Sequence, residues 1–244
     1  MPSGFETYVA GTTDIQLKDS TIYFSLAQKG TLPAPAQWFN AKGSSQDTGY
    51  WWGEVTLPYN AAADEYTVVV IAPTTYSCAV FYAIRSKTTT AIKLILTCDV
   101  NNKQFKYWIF STKRPPLNTS RKGLELYKDG NIVFASETPT LRPLMNNANN
   151  GTGIDTSGSK PVGVICNKQG YSYSYTWSNE GPNEIFYTED EGVSGVYFNT
   201  QSQVQPYTFF RRAAGISNSG ASGDGEIYRG NEADSYLFVD ITGI

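Results

Sequence analysis

Few residues in this chain could do chemistry. It contains no histidine, which removes Ser-His-Asp and Cys-His nucleophile systems and histidine-bearing zinc sites. It has no CxxC pair, no phosphate-binding loop and no GxGxxG in a βαβ setting. Carboxylates remain, and Glu189, Asp190 and Glu191 stand together in "YTEDEGVSG". Glycoside hydrolysis needs two carboxyl groups facing each other across a sugar, whereas neighbours on a strand point to opposite faces. The triplet reads as a cation or sugar site, or as a solvated acidic turn, and the second reading is preferred. No catalytic residue, cofactor or metal is expected, and the chain is expected not to be an enzyme.

Aromatic residues are the other candidates. "AQWFNAKGSSQDTGYWWGE" gathers Trp38, Phe39, Tyr50, Trp51 and Trp52 around a Gly-rich stretch. Tyr and Trp bring large contact area with a polar edge, so Trp38, Trp51 and Trp52 could form a platform for sugar rings. The preferred alternative is core and inter-module packing. "YSYSYTW" alternates Tyr171, Tyr173, Tyr175 and Trp177 with small polar residues. On a strand all four share one face, which is either a sheet interior or a flat aromatic platform. "FFRR" (Phe209 to Arg212) reads as a strand leaving the core with a basic end. Cys78, Cys98 and Cys166 each lie in an apolar, strand-like context and read as buried free thiols.

The elements that must hold these residues are strands. Segments such as "YTVVVIAP", "CAVFYAIRS", "AIKLILTCD", "EIFYTE" and "SYLFVDI" are short, rich in β-branched and aromatic residues, and bounded by Gly, Asn, Pro or Ser. No segment carries a helical stripe over three turns. The chain also repeats itself. "GFETYVAGTTDIQLKDST" at the start matches "GLELYKDGNIVFASET" from Gly123. In the second copy apolar and polar residues alternate on both sides of Asp129-Gly130, a strong hairpin signal. "YWIFS" and "YLFVD" close the two halves. The reading is all-β: two tandem, related antiparallel β-sandwich-like modules with long polar loops, over 1–118 and 119–244, joined near "STKRPPLNTSRKG". Met145 to Lys160 and Ser217 to Glu226 read as mobile surface loops.

At 244 residues, with 40% hydrophobic and 17% charged residues, the chain can bury a real core. Its net charge of −3 argues against a broad nucleic-acid surface. The start shows no basic and apolar signal pattern, and the most apolar run is too short to cross a bilayer. A soluble protein made in the cytosol is expected, with no membrane insertion. The sequons at Asn118 and Asn150 carry little meaning without a secretory route.

The openings "MPSGFETYVAG" and "GLELYKDGNIVFAS" resemble a recurrent start in tail proteins of long-tailed bacteriophages. There a Met-Pro-x-Gly-apolar beginning, or an internal Gly-Leu-Glu-x-Tyr, leads into a hairpin with an Asp/Asn-Gly turn. The match covers about 18 residues in each half, and the first copy lacks the Asp-Gly turn. The resemblance implies a structural or receptor-related virion protein at the tail tip or its fibres, assembled in the host cytoplasm. The implied partners are other tail proteins, with a bacterial surface receptor or glycan as a further candidate, in a homo- or hetero-oligomer; tail tips and fibres commonly have three-fold symmetry, so a trimer is one candidate, and nothing in the residues fixes the number of copies. It carries no functional residue over. An independent lectin-like carbohydrate-binding protein is the alternative. The second half, with its longer loops and tyrosine face, is expected to face outward.

Overall fold

The computed structural model describes residues 4–7, 15–18, 24–35, 37, 39–40, 50–60, 65–112, 125–128, 131–135, 138–148, 153–168, 171–181, 184–217, 225–229 and 235–244. Every regular element among them is a strand. The first half supplies β1 (Gly4–Thr7), β2 (Ile15–Lys18), β3 (Ser25–Thr31), β4 (Phe39–Asn40), β5 (Trp51–Pro58), β6 (Thr67–Pro73), β7 (Cys78–Lys87), β8 (Ala91–Cys98) and β9 (Phe105–Ser111). The second supplies β10 (Glu125–Lys128), β11 (Asn131–Ala135), β12 (Pro143–Ala148), β13 (Ile154–Asp155), β14 (Val162–Lys168), β15 (Tyr171–Gly181), β16 (Glu184–Phe198), β17 (Gln203–Ser217), β18 (Gly225–Arg229) and β19 (Ser235–Asp240).

The repeated opening forms an antiparallel pair in both halves. Phe5 faces Leu17 in β1·β2, and Leu126 faces Phe134 in β10·β11. The latter closes with Lys128 opposite Asn131. Asp129-Gly130, both sequons and most of the inter-half connection lie outside the described residues.

The remaining strands form two sheets. One runs β12-β19-β14-β6-β9-β3, the other β13-β17-β16-β7-β8-β5-β4, and neither closes on itself. All pairings are antiparallel. The sequence pattern explains the faces. In β8, Ile92, Leu94 and Leu96 are buried while Lys93 between them is exposed. Strands β6 and β9 carry nearly unbroken apolar runs, and both of their faces are largely buried. Between the sheets lie Val55, Leu94, Val196 and Phe198, with Tyr82 donating its hydroxyl hydrogen bond across to the Val69 carbonyl.

Both halves contribute to each sheet in matching order. β3-β9-β6 mirrors β12-β19-β14, and the halves meet where β6 pairs with β14 at Ile71 and Val164. In the other sheet they meet where β7 pairs with β16, at Ala79–Tyr197 and its neighbours. Equivalent strands meeting antiparallel are what a two-fold axis produces. The two halves adjoin edge to edge within both sheets.

Two expectations change. Met145–Ala148, read from its Asn-rich composition as mobile loop, is the greater part of β12 and pairs with β19. Ile154 and Asp155 pair with Val204 and Gln203. Ladder partners on β19 and β17 satisfy the backbone there, which composition does not reveal. Likewise Glu189, Asp190 and Glu191 lie within β16 and not in a turn.

Candidate functional site

The second sheet forks. β16 and β17 are each 15 residues long, roughly 50 Å of extended chain. β7 pairs with β16 only from Val196 to Phe198, then stays with β8 as far as Lys87. From Val193 onward β15 takes the vacated edge of β16, with Tyr171 opposite Val193. β18 then pairs with β15. The result is a four-stranded arm, β17-β16-β15-β18, in which, among the described residues, β15 pairs with no strand but β16 and β18.

Alternation gives the arm two different faces. On β15, Ser172, Ser174, Thr176 and Ser178 take one side, and Tyr171, Tyr173, Tyr175 and Trp177 the other. Directly opposed residues share a face. Trp177 lies opposite Tyr187, Tyr175 opposite Glu189, and Tyr173 opposite Glu191. Tyr175 packs against Trp177 at 5.6 Å between ring centroids and against Tyr187 at 5.9 Å, the latter nearly parallel. All four of these rings, those of Tyr173, Tyr175, Trp177 and Tyr187, are half-buried. Tyr171 holds its place in the ladder, but its ring lies outside the described side chains.

The acidic triplet is largely neutralised across strands. Asp190 faces Arg212, and Glu191 faces Arg211. Arg212 grips Asp190 through two bonds, Nε to Oδ1 at 2.6 Å and Nη2 to Oδ2 at 3.0 Å. Arg211 reaches Glu191 at 3.3 Å. Adjacent carboxylates thus point to opposite faces, each toward its own arginine, so Asp190 and Glu191 cannot flank one sugar bond as an acid–base pair. Glu189 stands on the ring face, and among the described residues it forms no ion pair. "FFRR" does not leave the core as a free basic end: Phe209 is buried, and both arginines serve the arm.

The first-half aromatics are distributed differently. Trp52 lies opposite Thr97, and Thr97 opposite Phe81. Followed through Ala79 and Tyr197, the register puts Trp52 on the same outer face as the arm rings. Two strands, β8 and β7, separate β5 from β16, about 14 Å centre to centre. Trp52 stacks instead on Phe39 at 4.6 Å. Trp51 pairs with Cys98, opposite Val80, so it points toward the other sheet. Trp51 and Trp52 therefore occupy opposite faces and cannot share one platform. Trp38 lies outside the described residues. The outer face between β5 and the arm holds a packed aromatic group: Tyr207 contacts Phe209 at 5.1 Å and Tyr197 at 5.8 Å, and Tyr50 contacts Phe209 at 5.8 Å.

Sequence reasoning missed Tyr187, the arginine pairs and this group. Alternation was visible in each strand, but the partner of each residue depends on register.

Other polar features are structural ties. Buried Glu65 accepts hydrogen bonds from Tyr59 and Ser111, and Lys87 Nζ donates to the Glu65 carbonyl at 2.5 Å. Burial first, and then Glu65, push the Tyr59 hydroxyl up to about 12. Cys78, Cys98 and Cys166 are free; the first two are buried as expected, while Cys166 is half-buried as a residue, and burial pushes each thiol up to about 12. Among the described residues no cluster of three or more metal-ligating side chains forms, and no helix is long and apolar enough to cross a membrane. The chain matches no known family model, no curated protein and no solved structure.

Proposed function

We propose that this protein is a non-enzymatic structural component of a bacteriophage tail, in the distal tip or fibre region, contributing to assembly and to attachment at the host surface. The fork in the second sheet is the observation that carries this reading. A pseudo-symmetric body of two shared sheets gives a rigid base, and one half alone extends β16 and β17 into the arm. An arm stiffened by continuous ladders and cross-strand ion pairs suits a protein that works by shape and presentation. The resemblance of both openings to tail-protein starts supports the location. The arm, more than the Asn-rich stretch after Met145, is the outward element.

Immunogold labelling of phage particles from the source, with antibody to this protein, tests the reading. Gold at the tail end is expected. Unlabelled particles, intact and partly dissociated alike, would refute it. A second reading, an independent lectin-like protein, draws on the half-buried rings around Glu189 and differs in where the protein is found.

A further inference from the structure

We infer that the ring-bearing face of the arm binds an uncharged oligosaccharide, with Tyr175 and Tyr187 packing against the apolar faces of sugar rings and Glu189 accepting their hydroxyls. The inference rests on reading the arm as the outward element and specifies what it would meet.

The placement argues for it. Glu189 lies opposite Tyr175 and two positions from Tyr187 on the same face. A carboxylate can accept from two neighbouring hydroxyls at once, while aromatic rings offer the flat apolar surface that pyranose C–H faces need. The β17 positions opposite Tyr187 and Glu189 are Gly215 and Ala213, so the sequence places small residues beside the carboxylate. At the end of the strip nearest the body, Arg211 occupies Glu191 at 3.3 Å.

Charge selects among occupants. Arg211 on this face is held by Glu191, and Arg229 takes the far edge opposite Tyr173, so an anionic polymer would still bring like charge to Glu189, which pairs with no cation among the described residues. A protein partner would have to bury that carboxylate at the centre of its contact, where interfaces are depleted of charge. A neutral sugar needs neither and hydrogen-bonds the group it covers. The opposite face, with Ser172, Ser174 and Thr176, has no such rings on β15.

Titration calorimetry of the full chain against a panel of short neutral oligosaccharides of glucose, galactose, mannose and rhamnose tests the inference. Binding is expected to at least one of them. Tyr175→Ala and the near-isosteric Glu189→Gln should each weaken it about tenfold or more, and Thr176→Ala on the other face should leave it unchanged. Circular dichroism checks folding, and Glu189→Gln keeps the test sound if Tyr175→Ala loosens the arm. Absence of binding across the panel would overturn the inference. So would binding that both variants leave intact, binding confined to anionic polysaccharides, or a tail protein held by this face in place of a sugar. Gold at the tail with no sugar bound would sink this inference and leave the tail reading standing. Sugar bound with no gold on particles would do the reverse.

Discussion

Replacing Gly195 with alanine tests whether the two halves are one cooperative body. Gly195 sits in β16 next to Val196, where the second half pairs with β7 of the first. An added Cβ would lie 2.5 Å from the Phe209 ring, 2.9 Å from the Val80 carbonyl oxygen and 3.3 Å from the Phe81 Cβ. The Phe209 ring is buried and packed by Tyr207 and Tyr50, and the carbonyl belongs to the neighbouring strand, so neither can give way cheaply. Overpacking of this kind costs about 2 kcal/mol, or about 4–8 °C in midpoint for a chain of this size. At Gly192 the nearest atom is the Ser172 hydroxyl oxygen, at 2.4 Å, a group that can rotate aside, so Gly192→Ala should cost less. The assay is guanidinium unfolding followed by tryptophan fluorescence and by circular dichroism. Trp38, Trp51, Trp52 and Trp108 lie in the first half and only Trp177 in the second, so fluorescence reports mainly on the half that does not carry the substitution. Shared sheets require the fluorescence transition to shift with the circular dichroism transition. If fluorescence stays at its wild-type midpoint while circular dichroism shows a second, earlier step, the halves unfold independently and the edge-to-edge argument fails.

Three further outcomes follow from the same structure. Burial holds the Cys78, Cys98 and Cys166 thiols at about 12, so a disulfide reagent at about pH 8 should react with none in the native protein and with all three once it is unfolded; prompt native reaction would contradict their placement. Burial pushes the Asp240 carboxyl up, but hydrogen bonds from Thr242 and the Arg142 and Lys160 charges pull it below its ordinary value. A depressed carboxylate stabilises the fold above its unfolded pKa of about 3.9 and loses that contribution as pH falls through the folded value. The stability gap between wild type and Asp240→Asn should therefore be full near neutrality and close in that acid range, and a gap independent of pH would refute the assignment. Arg212→Met should cost about 1 kcal/mol, because the pair it breaks is bidentate but partly exposed. Hydrogen exchange should quicken in the arm and not in β9; uniform change would show that the pair does not act locally.

The sequence by itself determined the all-β class, the repeated opening pair and the faces of single strands. Each follows from short-range chemistry. Alternation in "YSYSYTW" puts Tyr173, Tyr175 and Trp177 on one side whatever else the chain does, and "AIKLILTC" buries Ile92, Leu94 and Leu96 for the same reason. Tertiary structure alone decided which strands are neighbours. Register carries Tyr187 and Glu189 to the tyrosines of β15 and gives Asp190 and Glu191 their arginines. It also parts Trp51 from Trp52, because one step along a strand reverses the face, and their partners Cys98 and Thr97 belong to different sides of the sheet. The Asn-rich stretch at Met145–Ala148 became an edge strand because β19 offered it a ladder. Hydrogen bonding between strands far apart in sequence has no local signature, so composition could mark the residues available for a site and only the fold could bring them together.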